Sequence, residues 1–288
     1  MLTCYKYRSG QAAIRCLTDG CLYFSPPHEL NDALEAKFDL VDAAQFWAAV
    51  KRAFGKLAPG RPDAGELVLS APMPVEFKEI NDREGGRFYE ACQQVGIFST
   101  ATRPDSQPMW AYYGDNSNGV CFELAWSDEI MMAHQLWPSR VQYTDAPRKF
   151  NRADDMCEML LAIGADKPEW TIKQIFDFSM TEPFRRRYGI AGVARAVSIK
   201  HSDWQHEDEI RLLSPRARAI PILADTLKRV FFMNTMSNEW GEIMKLLYER
   251  YPGVELAQVK FHHKETFVCA KEYEFRLFDP SVFLRSPS

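Results

Sequence analysis

The chain has 288 residues, of which 46% are hydrophobic and 13% aromatic, and its formal net charge is -4. This length and composition are typical of a globular protein that buries a sizeable core. Acidic and basic residues are well mixed, so only a local basic groove would attract nucleic acid. No apolar stretch approaches the roughly 18 residues of a membrane-spanning helix, and we expect no membrane partner.

The seven cysteines are scattered along the chain, and none forms a C-x-x-C pair. The spacing therefore indicates neither a disulfide framework nor a structural zinc site, and we expect no metal. The N-terminus also lacks the apolar core of a secretory signal. Free thiols in a reducing cytoplasm are the favoured interpretation, which predicts a cytoplasmic protein.

The first half of the chain alternates extended and helical patterns. Residues 57–74 are rich in Pro and Gly and predict a long exposed loop. Residues 104–118 predict an aromatic helical turn that closes in a polar loop. The remaining predicted elements are an extended start, helices at about 9–18, 41–56 and 75–94, and strands at 21–25, 95–100, 119–124 and 140–143.

The second half begins with a mostly helical insertion at about 153–187. It continues with predicted strands at 204–213, 227–232 and 254–261 and a helix at 237–251. Strands scattered among helices, without strict βαβ alternation, favour an α+β fold. We therefore expect a single domain over residues 1–288, built on a central mixed or antiparallel sheet.

The predicted strand at 204–213 contains the most informative pattern, Glu-x-Glu-x-Arg. Period-2 geometry would put Glu207, Glu209 and Arg211 on one face, with the two carboxylates roughly 7 Å apart. Such a pair can stabilise a developing cation and accept a proton. An exposed strand with cross-strand salt bridges is the structural alternative. His201 and His206 flank the strand, but their spacing matches no zinc pattern.

The N-terminal strand would present Lys6 and Arg8 on one face and two tyrosines on the other. Two cations backed by aromatic rings can hold a phosphate or pyrophosphate. A charged edge strand is the structural alternative. Ser25, at the end of the next strand, is a candidate ligand contact, whereas Asn31 and Asp32 are suited to cap a following helix.

Two further segments have both a structural and a functional interpretation. Trp110 and Tyr113, in the aromatic run 109–113, could wall a planar ligand or belong to the core. The three arginines at 185–187 are most simply a solvated helix face, and a nucleic-acid contact is the alternative.

Taken in order, these segments resemble a large prokaryotic family labelled a domain of unknown function. The resemblance is spread over about two-thirds of the chain. It lies in Tyr-Lys-Tyr-Arg at 5–8, Leu-Tyr-Phe-Ser-Pro-Pro at 22–27, Asn-Asp-Ala-Leu-Glu at 31–35, Met-Trp-Ala-Tyr-Tyr at 109–113, Gly-Val-Cys-Phe-Glu-Leu at 119–124 and Trp-Gln-His-Glu-Asp-Glu-Ile-Arg at 204–211.

The order of these motifs also looks like that of ADP-ribosyltransferases, particularly toxin- and defence-type enzymes that modify nucleic acid. This resemblance implies an ADP-ribosyltransferase-like sheet and NAD as the substrate. It further implies a nucleic-acid or protein acceptor, a toxin or anti-phage role, and an antitoxin or immunity partner. Lys6 stands where those enzymes carry His or Arg, and it lacks the bidentate fork of arginine.

Under this resemblance, Glu209 stabilises an oxocarbenium-like transition state through the ribose 2′-hydroxyl, and Glu207 orients or deprotonates the acceptor. Trp110 or Tyr113 would stack on nicotinamide or on an acceptor base. The implied NAD-binding residues are Lys6, Arg8, Tyr23, Ser25, Asn31, Trp110, Tyr113 and Arg211.

Two other functions fit the same residues, a non-catalytic ligand- or nucleic-acid-binding module and a metal-dependent nuclease. The transferase predicts Glu209 in a cleft that faces Lys6 and Ser25. The binding module predicts Glu209 exposed at a sheet edge.

Overall fold

A computed structural model describes residues 1–32, 41–61, 71–145, 150–223, 225–233, 239–260, 262–264 and 268–270. These residues fall into two compact units. The first unit comprises Met1–Ser25, Gly96–Tyr143 and the described part of Ser202–Ser288, and the second comprises Pro26–Val95 and Thr144–His201. Residues 62–70 of the predicted Pro- and Gly-rich loop lie outside the described residues.

The elements of the first half, in chain order, are β1 (Leu2–Arg8), α1 (Gly10–Asp19), β2 (Cys21–Phe24), α2 (Ala43–Leu57), α3 (Val75–Gln94), β3 (Gly96–Ala101), α4 (Gln107–Tyr112), β4 (Val120–Trp126), α5 (Asp128–Ala133), β5 (Trp137–Arg140) and β6 (Gln142–Thr144). Those of the second half are α6 (Arg152–Asp166), α7 (Ile172–Ser179), α8 (Glu182–Ala196), β7 (Ile199–His201), β8 (Glu209–Ser214), β9 (Arg218–Pro221), β10 (Leu227–Phe232), α9 (Trp240–Arg250), β11 (Glu255–Gln258), β12 (His262–Lys264) and β13 (Val268–Ala270). Short 3₁₀ turns occupy Pro27–Glu29 and Ser202–Glu207.

Seven strands of the first unit form one sheet in the order β11-β10-β4-β1-β3-β8-β5. The β10–β11 pair is parallel, and the other neighbouring strands are antiparallel. The predicted α+β class, with a mixed and mostly antiparallel sheet, is confirmed. Because β1 lies between β4 and β3, the alternative of an exposed edge strand at the N-terminus is wrong.

The two faces of this sheet are covered by different elements, as strand alternation requires. The first face, called the α1 face here, packs Cys4, Phe98, Phe122 and Leu212 against α1, α9 and the β2–β9 ribbon. The second, called the α4 face, packs Tyr7, Ala101, Cys121 and Phe231 against Met109 and Trp110 of α4. Both faces are therefore buried in the middle of the sheet.

The second unit is mostly helical. Asp42 begins α2 with a capping box, and α2 buries an aromatic stripe that includes Phe46, Trp47 and Phe54. Three helices, α6 to α8, fill the predicted helical insertion and extend it to Ala196. Across all described residues, no helix combines the length and apolar character needed to cross a membrane.

The predicted strand at 204–213 is wrong in its first half. Ser202–Glu207 forms a 3₁₀ turn, and Asp208 has a positive φ of 42° before β8 begins at Glu209. The Asp208 amide bonds back to the Gln205 carbonyl, so local hydrogen bonds replace the sheet ladder there. The predicted strand at 140–143 is likewise divided between β5 and β6.

Candidate functional site

Two buried carboxylates meet tyrosine hydroxyls at the start of β8. Glu207 and Glu209 are 4% and 3% exposed. The Tyr113 hydroxyl donates to Glu207 Oε1 at 2.5 Å, and the Tyr143 hydroxyl accepts the Glu209 backbone N–H at 2.9 Å. Together with Arg211 these residues are called the carboxylate–tyrosine cluster here. Their burial rules out the alternative of an exposed, salt-bridged strand.

Arg211 forms a bidentate ion pair with Glu209. Its Nε donates to Oε1 at 2.8 Å and its Nη2 donates to Oε2 at 3.1 Å, and the guanidinium is fully buried. The cross-strand neighbours of Arg211 are Ser99 on β3 and Ser139 on β5. These small side chains leave space over the strand for the guanidinium. A pair of this kind fixes the start of β8, because either charge alone would be expensive to bury.

Tyr143 connects the two carboxylates electrostatically. Burial raises the pKa of its phenol, and the hydrogen bond from the Glu209 amide opposes that rise. The negative charges of Glu209 and Glu207 raise the pKa further, so both carboxylates lie near this hydroxyl. Tyr143 therefore stays protonated at neutral pH and can donate a hydrogen bond within the cluster.

Strand alternation places Lys6 and Glu209 on opposite faces of the sheet. Tyr5 pairs with Ala101, and Ala101 pairs with Glu209, so these three side chains share the α4 face. Lys6 is next to Tyr5 and points to the α1 face. There its ammonium donates to the Ser99 carbonyl at 2.5 Å and lies 5.0 Å from the centre of the Phe98 ring. Lys6 and Glu209 therefore start from opposite faces of the sheet, and a shared cleft for the two stays a prediction.

The electrostatic environment of Lys6 follows from that position. Burial lowers the pKa of its ammonium to about 7, and the positive charge of Arg8 contributes in the same direction. The negative charges of Glu209 and Glu207 oppose this shift, so both carboxylates are close enough to act on the ammonium. Arg8 is two residues along β1 on the same face, and its buried Nε has no hydrogen-bond partner among the described atoms. The two predicted cations are therefore neighbours, as the alternation of β1 indicates.

Ser25 and Tyr23 also lie apart from the cluster. Ser25 exchanges backbone hydrogen bonds with Ile97, at 3.0 and 2.8 Å. Glu209 pairs instead with Ala101, four residues along β3, which corresponds to roughly 13 Å. Tyr23 is 47% exposed, because its neighbours in β2 are the side chains that enter the core. Ser25 is therefore too far from Glu209 for direct contact, and a cleft that includes both residues stays a prediction.

The two aromatic candidates have different positions. Trp110 is fully buried, donates its indole N–H to the Pro104 carbonyl at 2.8 Å, and meets the Tyr7 ring edge-on. Trp110 is therefore a core residue, as the structural alternative predicts. Tyr113 is partly buried and belongs to the cluster. Asn31 is exposed in the second unit, and Glu35 lies outside the described residues.

The sequence did not predict Tyr143. It follows β5, and the Val141 amide, which donates to the Glu209 carbonyl at 3.1 Å, keeps this segment beside β8. Only the pairing of β5 with β8 brings its hydroxyl to the carboxylates. Within the described ranges, no group of three His, Cys, Asp or Glu side chains is arranged to hold a metal ion.

Residues 109–212 match the model of a family described as "Protein of unknown function (DUF2971)". The matched segment runs from α4 into β8 and contains all five residues of the carboxylate–tyrosine cluster. Similarity to a family of unknown function is therefore supported over this segment. No curated protein and no solved structure matches the chain.

Proposed function

We propose that this protein is an ADP-ribosyltransferase-like enzyme that uses NAD as a substrate and carries its reactive carboxylate at the start of β8. The supporting observation is the burial of Glu207 and Glu209 beside the hydroxyls of Tyr113 and Tyr143. Breaking the nicotinamide–ribose bond generates an oxocarbenium-like cation, which a fixed carboxylate stabilises best where water is excluded.

Glu207 is the better choice for the reactive carboxylate. Both oxygens of Glu209 bond to the Arg211 guanidinium, so its charge is already balanced by a cation. Glu207 accepts a hydrogen bond from the Tyr113 hydroxyl at 2.5 Å, which fixes its carboxylate beside the start of β8. Under this proposal Glu209 and Arg211 position the start of β8. The acceptor of ADP-ribose would be a nucleic acid or a protein, and an antitoxin-type partner would restrain a toxic activity.

A non-catalytic binding module is the second candidate. The burial of Glu209 contradicts the exposed position expected for a binding module, but burial also restricts the access of NAD to both carboxylates. In that case the cluster has a structural role and keeps the 3₁₀ turn packed against α4. The protein then does not cleave NAD. No contact among the described residues favours the metal-dependent nuclease.

The deciding experiment is a calorimetric titration with NAD, combined with an assay of nicotinamide release. The proteins compared are the wild type, Glu207→Gln, Glu209→Gln and the control Glu255→Gln, whose carboxylate is exposed and paired with Arg229. We expect binding in the micromolar range and release in the wild type and the control. Glu207→Gln should bind NAD without releasing nicotinamide.

Two results would overturn this proposal. An absence of heat at millimolar NAD would remove NAD as the ligand. Binding without nicotinamide release by the wild type would leave the binding module as the function.

A further inference from the structure

Three ring side chains lie beside the carboxylate–tyrosine cluster, in the segments that carry it. His206 precedes Glu207, and Tyr112 precedes Tyr113. The His206 ring centre is 5.7 Å from that of Tyr112 and 6.2 Å from that of Trp204. Tyr112, at the end of α4, is 73% exposed, whereas the other two rings are partly buried. This aromatic surface was not predicted from the sequence.

The tautomer of His206 follows from its contact with a backbone carbonyl. Nδ1 lies 3.0 Å from the Asp203 oxygen, and a carbonyl only accepts, so Nδ1 carries the proton. In the neutral ring, Nε2 is then an acceptor. This atom is buried and has no hydrogen-bond partner among the described residues. A buried acceptor without a donor destabilises a protein, and a hydrogen bond from a ligand N–H would remove this cost.

Tyr112 is the ring best placed to admit such a ligand. It sits on the last residue of a short helix and is mostly solvated, so rotation of its side chain disrupts little packing. The 3₁₀ turn that carries His206 and Trp204 is held from behind, where Glu207 accepts from Tyr113. Rotation of this solvated ring would let a planar ligand reach the His206 ring.

A cation suited to phosphate lies at the same end of the sheet. The Arg140 side chain is 72% exposed and forms an ion pair with Asp208 at 3.2 Å, two residues after His206. An exposed pair of this kind contributes little stability, so the guanidinium can turn to a phosphate at small cost. Aromatic rings, an in-plane acceptor and an adjacent arginine together match a nucleotide rather than a peptide side chain.

We infer that Tyr112, Trp204 and His206 form a binding site for an unpaired nucleobase that bears an amino group. The rings stack on the base, and His206 Nε2 accepts a hydrogen bond from the amino N–H. The identification of this base as the acceptor of ADP-ribose rests on the proposed function, whereas its binding does not.

The test measures binding of fluorescent single-stranded DNA without NAD. One probe is an adenine oligonucleotide of about eight nucleotides. The matched probe replaces adenine with purine, which lacks the 6-amino group. Competition by free AMP shows whether the site binds a mononucleotide or requires a strand. We expect the wild type to prefer adenine over purine. Tyr112→Ala and Trp204→Ala should each weaken binding of both probes roughly 5- to 150-fold.

His206→Phe should keep the stacking surface and remove the preference for adenine. The control is Tyr248→Ala on α9, which removes a tyrosine that is 54% exposed elsewhere in the first unit. The inference is overturned if the wild type does not distinguish the two probes, or if Tyr112→Ala binds as tightly as the control. Binding only to an aromatic peptide would equally overturn it. Since NAD is absent, a negative result here leaves the proposed function untouched.

Discussion

The Lys6 ammonium donates a hydrogen bond to the Ser99 carbonyl of β3. At this position the residue that pairs with one edge of β3 changes from Ser25 to Tyr5 of β1. Ile97 pairs with Ser25, whereas Ala101, four residues later on the same edge of β3, pairs with Tyr5. Ser99 lies between these two pairs, where the ladder is interrupted. The lysine therefore supplies the donor that a neighbouring strand would otherwise provide, and this gives it a structural role.

The first prediction concerns how stability depends on pH through Lys6. Its pKa is about 7 in the folded protein, against an ordinary value of 10.5 for a solvated lysine. Between these values the unfolded chain binds more protons than the folded one, so the free energy of unfolding rises with pH from about 7 upward. Below both values this contribution does not change with pH. Urea unfolding of the wild type at about pH 6, 7.5 and 8.5 should reveal the rise.

The matched variants for this prediction are Lys6→Met and Lys228→Met, the latter removing an exposed lysine of β10. Lys6→Met should abolish the rise, because the titrating amine is gone, whereas Lys228→Met should retain it. If Lys6→Met keeps the wild-type pH dependence, another group carries the effect and the burial argument for Lys6 fails.

The second prediction concerns the buried pair of Glu209 and Arg211. Arg211→Met leaves a buried carboxylate without its cation, and Glu209→Gln leaves the guanidinium without its anion. Each single change should lower the free energy of unfolding by about 3–5 kcal/mol. The double variant Glu209→Gln with Arg211→Met should be less destabilised than the sum of the two, by about 0.5–3 kcal/mol. Additive losses in urea unfolding would show that the two side chains do not interact.

The parts of the fold that follow from local pattern could be predicted from the sequence. The limits of β10, Leu227–Phe232, agree with the predicted strand, because β-branched and aromatic residues at 230–232 favour a strand. The helix α3 also agrees, since Pro74 precedes it as its N-cap. Glu207 and Glu209 both lie in the cluster, but the 3₁₀ turn and not strand alternation positions Glu207 there.

The remainder depends on contacts distant in sequence. Alternation predicted that Lys6 and Tyr5 point to opposite faces, but it could not decide which of them shares a face with Glu209. That choice is made by the Tyr5–Ala101–Glu209 register, which joins residues about 200 positions apart in the chain. The 3₁₀ turn before β8 was not predicted from the sequence. The pattern of residues at 204–207 is compatible with a turn as well as with a strand.

The third prediction separates two adjacent tyrosines. Tyr113→Phe removes the hydroxyl that donates to Glu207, which leaves a buried carboxylate short of a donor. The free energy of unfolding should fall by about 1–3 kcal/mol. Tyr112→Phe is the control, because that hydroxyl is on a side chain that is mostly solvated, and we expect a change within about 0.5 kcal/mol. Equal effects of the two variants would show that the Glu207 contact contributes no stability.

The fourth prediction tests how closely the loop after α4 approaches β1. A side chain at Gly119 would overlap the Arg8 carbonyl oxygen and crowd the Gly114 carbonyl at 3.0 Å. Both obstacles are backbone atoms, so the loop that carries Tyr113 would have to move. Gly119→Ala should therefore destabilise the protein by about 1–3 kcal/mol and weaken the Tyr113–Glu207 contact. Thermal unfolding measures the first effect.

The matched control is Gly241→Ala in α9, where an added methyl meets no atom within 4 Å. Alanine favours the helix there, so this variant should be neutral or more stable by up to about 1 kcal/mol. A double variant, Gly119→Ala with Tyr113→Phe, separates the steric effect from the loss of the hydroxyl. If the glycine change disturbs the cluster, adding Tyr113→Phe should destabilise the protein less than it does in the wild-type background. If Tyr113→Phe lowers the free energy of unfolding equally in both backgrounds, then Gly119→Ala acts through β1 and leaves the Tyr113–Glu207 contact intact.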